Sequence, residues 1–411
     1  MTKIAVIGAG IVGICTSFFL QRAGFKVSLI DYNEPGSQTS FGHACTFADY
    51  ACIPINSPQL FKELPTMILR NDSPLSVDFF YILKNLPWAF SFLKNCEEKN
   101  VKYIISSLAK FLRHSRFYYD QIFNEIDVNK YIKNHEVLYL YENEDEYNRA
   151  KFFNDLREAN GVKIKTLNKN DIRDLEPNLA KIYYNGILFK GSRYTNNPKK
   201  VSNEIFNEFL NKGGIFLKEK VSSIDQNQKK IKVGNENFFK EFDKIVISAG
   251  AWSKDIALKV GDKFPLDTER GYHVLFNNND EQLIKRPVGW SKSGFYLVPI
   301  EDGIRSAGTV EIAGLKNKPN LKRLKMIEKQ TRKLLPKIGN VKSTWLGFRP
   351  TLPDSMPVIG KSFKNENILY AFGHQHLGWT LAAVTGKAIQ CLAEDQKPNF
   401  DISVFNPNRF N

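Results

Sequence analysis

The segment Gly8-Ala9-Gly10-Ile11-Val12-Gly13 has the residue types and spacing to bind the phosphates of a dinucleotide. Gly8 permits a tight turn from a strand into a helix, Gly10 lets the backbone approach a pyrophosphate, and Gly13 lets the helix pack closely on the sheet. The helix beginning at Ile11 would present free N–H groups and its positive dipole end to the phosphates. Asp31, 18 residues after Gly13, could accept hydrogen bonds from both ribose hydroxyls and would repel a 2′-phosphate. We therefore predict a dinucleotide site and disfavour NADP.

A strand-helix-strand unit must position this segment. Residues 2–7 form an apolar, β-branched run typical of a buried parallel strand, and residues 26–31 form a second one. Between them, residues 11–23 predict a helix that ends at Gly24. Residues 60–133 are predicted to be mostly helical, and strands then alternate with helices, which favours an α/β fold with interleaved domains.

Two later segments place small or polar residues after predicted strands, and a third surrounds an arginine. An apolar strand ends in Ala249 and Gly250, as is needed where backbone passes close to a cofactor, although an ordinary strand-to-helix turn explains them equally well. Residues 347–354 contain Arg349 between a Gly-Phe pair and a proline, and residues 373–380 precede the last predicted helix.

Together these motifs resemble those of the D-amino acid oxidase/dehydrogenase superfamily of FAD enzymes, and especially of the bacterial D-amino-acid dehydrogenases. That family carries the amino-terminal G-x-G-x-x-G, a T-S-x-x-x-A segment like residues 39–44, a G-x-R-P-x-x-P-D segment like residues 347–354, and a G-H-x-x-L-G-W-T segment like residues 373–380. The last two motifs are far more specific than the first. The matches extend from the first residues to the last helix, and they imply FAD as the cofactor.

The resemblance also implies an α/β fold in which a Rossmann-like FAD-binding domain is interleaved with an α+β substrate domain built on a mixed or antiparallel sheet. The FAD-binding domain is expected to be discontinuous and to comprise residues 1–60, 190–255 and 340–411. The substrate or cap domain is expected to comprise residues 61–189 and 256–339.

The residues that the resemblance assigns to FAD lie in the family-like motifs or at the ends of predicted strands. They are Gly8, Gly10, Ile11, Gly13, Asp31, Thr39, Ser40, Val221, Ala249, Gly250, Gly378, Trp379 and Thr380. Thr39 and Ser40 would lie near the pyrophosphate or the flavin, and Val221 would contact adenine through its backbone. Residues 378–380 would direct helix N–H groups toward the flavin O2, where the reduced ring carries negative charge.

The resemblance implies catalytic roles for Arg349, Tyr272 and His374. Arg349 corresponds to the arginine that binds the substrate carboxylate, because a guanidinium fork matches a carboxylate bidentately. The alternative interpretation is that Arg349 is a surface or structural arginine. Tyr272 matches a family segment on a strand that leads toward the active site, although a core tyrosine explains it equally well. His374 would either line the pocket or form hydrogen bonds within its loop.

The chain departs from the family pattern at two positions. His43 stands where the dehydrogenases usually have Asn, and Cys45 replaces a common Gly. Relatives that attach their flavin through a histidine carry it one place earlier, where this chain has Gly42, so a non-covalent flavin is favoured. These departures leave the identity of the substrate more open than the type of reaction.

Composition and charge narrow the classes further. The five cysteines lack a C-x-x-C pair and the six histidines lack H-E-x-x-H, which argues against a disulfide framework and a metal site and suits a cytoplasmic protein. No uncharged run reaches the roughly 20 apolar residues of a membrane span. The net charge of +15 favours anionic partners, but the lysines form no long basic block, so no nucleic-acid partner is expected.

Residues 79–93 form an aromatic-rich segment that we interpret as a buried helix pair. The alternative is a membrane-facing or lid helix. With the basic charge, that alternative is compatible with peripheral contact at the inner face of the cytoplasmic membrane. The D-amino-acid dehydrogenases that this chain resembles are membrane-associated and pass electrons to the respiratory chain.

The expected function is FAD-dependent oxidative deamination of a D-amino acid, or of a related imino or secondary amino acid, by hydride transfer from Cα to flavin N5. The electrons would pass to a respiratory quinone or another acceptor. One alternative is a tRNA-modifying flavoprotein, which the net charge favours and the lack of a clustered basic stripe disfavours. Another is a non-catalytic FAD subunit of a larger amine dehydrogenase complex, which Arg349 argues against. The last is an NAD enzyme.

Overall fold

The structure of the chain, a computed structural model, describes residues 1–60, 73–226, 230–278 and 283–410. In these ranges the α-helices are α1 (Ile11–Arg22), α2 (Phe79–Lys84), α3 (Leu86–Lys94), α4 (Glu98–Leu112), α5 (Ser115–Phe123), α6 (Glu144–Ala159), α7 (Lys169–Leu175), α8 (Pro198–Asn211), α9 (Ser253–Lys259), α10 (Leu321–Leu334) and α11 (Gly378–Ala393). The β-strands are β1 (Lys3–Ile7), β2 (Lys26–Ile30), β3 (Thr46–Phe47), β4 (Leu75–Val77), β5 (Ile132–Lys133), β6 (Val137–Tyr141), β7 (Ile164–Leu167), β8 (Asn185–Phe189), β9 (Arg193–Thr195), β10 (Ile215–Leu217), β11 (Ser223–Gln226), β12 (Ile231–Asn235), β13 (Phe238–Phe242), β14 (Lys244–Ile247), β15 (Asp267–Phe276), β16 (Val288–Trp290), β17 (Phe295–Ile300), β18 (Gly303–Ile312), β19 (Val341–Thr351), β20 (Val358–Lys361) and β21 (Ile368–Phe372).

The first sheet has the order β10-β2-β1-β14-β21-β20 and is parallel except for β20. Ile4, Ala5 and Val6 of β1 are fully buried, because elements cover both faces of the sheet. The α1 helix connects β1 to β2, as predicted, and packs against α8 and α11. Parallel pairing brings the carboxyl ends of β1, β2, β14 and β21 to one edge, where ligands bind in folds of this class.

The second sheet is mixed and has the order β19-β15-β18-β17-β16-β6-β8-β7, with β4 beside β18. Its long strands pair antiparallel, and Glu269 of β15 lies opposite Arg349 of β19. On one face, Tyr272 belongs to an apolar cluster with Ile327 and Leu334 of α10. The opposite face carries small residues such as Gly271, above the carboxyl edge of the parallel sheet. The fold class is therefore the predicted one, a Rossmann-like sheet with a large mixed sheet.

The chain crosses between the two sheets several times. The strand β19 lies within the expected cofactor segment 340–411, yet it pairs with β15 in the mixed sheet. A small sheet of β3, β9 and β5 joins residues near the amino terminus to the middle of the chain. The exact division into two domains stays a prediction.

The aromatic-rich segment forms α2 and α3, and the expectation of a buried pair is wrong. Phe79, Phe80 and Phe90 are 68%, 76% and 66% exposed, and Phe92 is the one buried residue of these two helices. The physical reason is that two short helices separated at Asn85 spread their apolar residues around all sides instead of forming one continuous stripe.

Residues 61–72, part of the region predicted to be helical, lie outside the described residues. Among the helices that the structure describes, none combines the length and apolarity that crossing a bilayer requires.

Candidate active site

A cavity of about 800 Å³ lies between the carboxyl edge of the parallel sheet and the mixed sheet. Most of the predicted site residues line it, although they come from distant parts of the chain. The predicted residues in its wall are Gly8, Gly10, Ile11, Asp31, Thr39, Ser40, Val221, Ala249, Gly250, Tyr272, Arg349, His374, Gly378 and Trp379. Gly13 and Thr380 are outside this wall.

The glycine-rich turn shows a separate physical need at each glycine. Gly8 has a φ of +107°, and a Cβ atom there would lie 2.6 Å from the Ser248 carbonyl oxygen. At Gly13 a Cβ atom would lie 1.8 Å from the Gly8 carbonyl oxygen. At Gly10 the nearest protein atom would be the Ser40 hydroxyl, 3.5 Å away. The protein therefore requires glycine at positions 8 and 13, whereas Gly10 leaves open space in which a ligand can approach the backbone.

Asp31 follows β2 and is fixed by backbone donors. Its Oδ2 accepts from Ala9 N–H at 2.8 Å, and its Oδ1 accepts from Asn33 N–H at 2.9 Å. Burial raises the pKa of the Asp31 carboxyl, and these N–H groups oppose that shift. Asp31 and Val221 both line the cavity. The end of the cavity that contains Asp31 has the acceptors and apolar surface that an adenosine needs.

The amino terminus of α1 is covered by Ser40. Its Oγ accepts from Ile11 N–H at 2.9 Å, so a hydroxyl donor stands where a phosphate would meet the helix. Thr39 has a different role, because its Oγ1 donates to the Phe348 carbonyl oxygen at 2.9 Å. That bond ties the loop to β19.

The amino terminus of α11 forms another part of the wall. Trp379 lines the cavity, and its indole Nε1–H is buried without a hydrogen-bond partner in the described residues. The Thr380 Oγ1 accepts from Ala48 N–H at 2.9 Å, so Thr380 holds the preceding loop rather than facing the cavity. Gly378 leaves space at the start of the helix, since a Cβ atom there would be 3.6 Å from the nearest side chain, that of His374.

Arg349 projects from β19 at the opposite wall. Its Nη1 donates to the Thr309 carbonyl oxygen at 2.8 Å, and its Nη2 lies 3.5 Å from the Gly308 carbonyl oxygen. A Cβ atom at Gly271 would be 2.3 Å from the guanidinium, so glycine there makes room for it. Burial lowers the pKa of Arg349 and the neighbouring Glu269 opposes this, but an arginine remains charged. No other group of the described residues forms a hydrogen bond with the remaining N–H donors of the fork, which can therefore bind an anion.

Tyr272 belongs to the cavity wall, but its hydroxyl is engaged behind the sheet. It donates to the Glu311 carboxylate and accepts from Asn320 N–H at 3.0 Å. Burial, together with the Glu311 charge, raises the pKa of Tyr272 to about 12. The structure therefore places this hydroxyl among side chains behind the sheet.

The side chains of the two histidines that precede α11 have different surroundings. His374 Nε2 lies 2.9 Å from the Thr385 hydroxyl, and burial lowers its pKa to about 3. His376 also lines the cavity, to which its side chain is exposed, and desolvation by the surrounding wall, followed by the charge of Arg349, lowers its pKa to about 4. The charge of Arg349 therefore affects the pKa of His376, whereas burial alone lowers that of His374. The positions of the two histidines in the sequence motif gave no reason to prefer His376.

Comparison with known proteins places this geometry in a family. The DAO family model, whose description is FAD dependent oxidoreductase, matches residues 3–392. The chain belongs to the DAO family. Across 99% of its length it is 31% identical to a D-amino-acid oxidase of Bradyrhizobium diazoefficiens, covering 98% of that protein. It is 25% identical to a D-amino acid dehydrogenase of Vibrio vulnificus, with 97% of each chain covered.

A solved DAO-fold structure, glycine oxidase from Geobacillus kaustophilus, superposes with a TM-score of 0.75 at 17% identity, covering all of this chain and 99% of that one. At this identity the likeness concerns the fold. The cofactor of the DAO family is FAD, and the cavity fits it. The open space at Gly10 and the unpartnered indole N–H of Trp379 lie in one continuous wall, which joins the adenosine end to the start of α11.

His43 is a lining residue that the motif analysis noticed only as a departure. Its ring stacks on Trp379 with centroids 4.4 Å apart. Its Nδ1 accepts from Cys45 N–H at 2.9 Å, which leaves the proton of the neutral ring on Nε2. That Nε2 is buried and has no partner in the described part of the chain. Burial, followed by the charges of Arg305 and His273, holds the pKa of His43 well below its usual range, so the ring stays neutral.

Gly42, next to His43, is constrained by packing. A Cβ atom there would lie 2.2 Å from the Trp345 ring. Because a ring is a rigid neighbour, any larger side chain at this position requires Trp345 to move. The identity of residue 42 is thus set by a contact with β19, about 300 residues away in sequence.

Proposed function

We propose that this DAO family member is an FAD-dependent D-amino-acid dehydrogenase. The observation that carries the proposal is Arg349, whose guanidinium is fixed by two backbone carbonyls in the same cavity as the glycine-rich turn. A fixed guanidinium fork suits a carboxylate bidentately. The similarity to a D-amino-acid oxidase and a D-amino acid dehydrogenase over nearly the full length supports a D-amino acid, or a related secondary amino acid, as the substrate.

The residues of the chain orient the substrate. The free donors of Arg349 hold the α-carboxylate and so fix the position of Cα. His376 is neutral at pH 7 because its pKa is lowered to about 4, so it adds no positive charge beside the substrate amine. His374 and Tyr272 remain proposed site residues because both belong to the cavity wall.

FAD, when bound, supplies the two-electron acceptor for the reaction. The Cα–H bond breaks and its hydrogen leaves with the electron pair, while the amine nitrogen loses a proton and the Cα–N bond becomes double. Water then hydrolyses the imino acid to a 2-oxo acid and ammonia. Since positioning and electrostatics carry this step, no strong general base is required in the wall.

The electron acceptor in this proposal is a quinone at a membrane surface. The net charge of +15 and the exposed phenylalanines of α2 and α3 support contact with an anionic surface. Comparing turnover with a soluble quinone analogue and with oxygen distinguishes a dehydrogenase from an oxidase. Faster turnover with oxygen than with the quinone analogue would contradict this part of the proposal.

The decisive experiment is anaerobic mixing of the FAD-loaded protein with single amines. The panel contains D-amino acids, their L-enantiomers, D-proline, glycine and sarcosine, and the flavin absorbance is followed. Bleaching by D-amino acids and not by their enantiomers is expected. Bleaching by L-enantiomers alone would overturn the stereochemical assignment, and a flavin that no amine reduces would overturn the proposed function.

A further inference from the structure

The charges in the cavity wall are unequally distributed. In the part of the chain that the structure describes, the acidic lining residues are Asp31, Glu219 and Asp255. All three belong to the adenosine end, since Glu219 precedes β11 and Asp255 lies on α9, which packs against β11. Toward the mixed sheet the lining charges are both positive, Arg349 and Arg157. The substrate end thus holds two guanidiniums and no carboxylate among the described lining residues.

Arg157 projects from the last turn of α6 and is only partly satisfied. Its Nη1 donates to the Asn154 side-chain oxygen at 2.8 Å, while its Nε is buried with no hydrogen-bond partner in the described residues. Its guanidinium lies over the Phe189 ring, 5.5 Å from the centroid. No described carboxylate forms an ion pair with it within 4.0 Å. An anion that reaches a half-buried cation in this state stabilises it, because the anion supplies the missing hydrogen-bond acceptor and the opposite charge.

A row of tyrosines connects Arg157 to Arg349. The Phe189 ring beneath Arg157 stacks on Tyr50 at 3.9 Å, and the Tyr50 hydroxyl lies beside that of Tyr296. Tyr296 stands on β17, whose neighbouring strand β18 supplies the carbonyls that hold Arg349. Tyr50 and Tyr296 both line the cavity. The two guanidiniums therefore line one cavity and are linked through neighbouring residues that include two tyrosines of its wall.

We infer that the substrate is an acidic amino acid, one with a second carboxylate on its side chain, such as D-glutamate or D-aspartate. This inference rests on the proposed function. Arg349 binds the α-carboxylate and Arg157 binds the side-chain carboxylate across the tyrosines, while the oxidised Cα–H bond and the products are those given above. A cationic side chain is excluded, because it would meet Arg157 in a space where no described carboxylate offsets the repulsion.

The test compares each acid with its uncharged amide, which has almost the same shape. The rate and the half-saturating concentration of anaerobic flavin reduction are measured for D-glutamate against D-glutamine and for D-aspartate against D-asparagine. A charge-assisted bond predicts that at least one acid is favoured over its amide by about 10- to 100-fold in the ratio of these constants. Arg157→Met is expected to bring that preference close to one, and Arg157→Lys to restore part of it.

Arg149→Met is the matched control, because Arg149 is an exposed arginine on the same helix and the change removes the same charge. It should leave the acid-to-amide preference unchanged. Amides that react as well as both acids in the wild-type protein would overturn the inference while leaving the proposed function intact. A flavin that no amine reduces would instead overturn the proposed function. If Arg157→Met does not retain FAD, the wild-type preference decides alone.

Discussion

Glu269 lies opposite Arg349 across the β15–β19 pair and is fully buried. Within the described residues, neither of its carboxyl oxygens receives a hydrogen bond of normal geometry. Burial raises its pKa from the ordinary 4.5 to about 7, while the Arg349 charge and the nearby Thr351 hydroxyl oppose the shift. Near neutral pH this carboxyl group therefore changes charge inside the protein.

The sign of the effect on stability follows from proton binding. The folded protein holds the Glu269 proton more tightly than the unfolded chain, so the free energy of unfolding falls as the pH rises from about 4.5 to about 7. A pKa raised this far corresponds to about 3 kcal/mol at full deprotonation, of which about 2 to 3 kcal/mol falls between pH 5 and pH 8. Glu269→Gln keeps the shape of the side chain and removes the titration. For a chain of this length, its Tm relative to wild type should rise by about 3 °C between pH 5 and pH 8.

The assay is thermal unfolding of both proteins, loaded with FAD, at pH 5, 6.5 and 8. The difference between the two proteins is the informative quantity, because Asp31 and the buried histidines titrate equally in both. Glu236→Gln, an exposed change of the same kind, controls for the loss of one negative charge. Melting curves of Glu269→Gln and wild type that stay parallel from pH 5 to pH 8 would refute the argument that Glu269 is an isolated, buried acid.

Three further predictions concern the site. Arg349→Met should lower kcat/KM for amino acids by about 10²- to 10⁴-fold, through loss of two charge-assisted hydrogen bonds, and Arg349→Lys by less; steady-state kinetics showing equal values in all three proteins would contradict this role. Gly13→Ala should lower the Tm of the apoprotein because its Cβ meets the Gly8 backbone, whereas Gly10→Ala should leave that Tm unchanged and weaken FAD binding, measured by fluorescence titration; the reverse order would be inconsistent with the two environments. His43→Leu should weaken FAD binding about 5- to 10-fold and shift the visible flavin spectrum. His43→Asn, which retains an N–H donor, should be closer to wild type in both affinity and spectrum. An unchanged spectrum and affinity in the leucine variant would show that Nε2–H does not reach the cofactor.

Features set by neighbouring residues could be predicted from the sequence. The turn from β1 into α1 needs glycine at position 8 because a positive φ and a close strand leave no space for a side chain, and that constraint is visible in a short motif. The motifs around Arg349 and Trp379 likewise identified residues of the cavity wall before any geometry was known. Their spacing, though, carries no information on which atoms face the cavity.

Side-chain direction and exposure depended on the packed structure. The packed sheet directs the Tyr272 hydroxyl to Glu311, away from the cavity, and only the three-dimensional arrangement distinguishes His376 from His374. The same aromatic residues that suggested a buried helix pair are exposed on α2 and α3. Periodicity in the sequence indicates which apolar residues share one face of a helix. Whether that face is buried depends on whether a neighbouring element covers it.

The sequence by itself determined the dinucleotide-binding unit, because turn geometry and strand patterning act over a few residues. The type of cofactor followed from the resemblance of its later motifs to a family of FAD enzymes. Only the tertiary structure decided what the substrate end contains. It places Arg157 in the same cavity wall as Arg349, although 192 positions separate them in the chain. The physical reason is that the net charge of a cavity depends on groups gathered by sheet pairing and helix packing, and no local pattern records which distant helix will supply them.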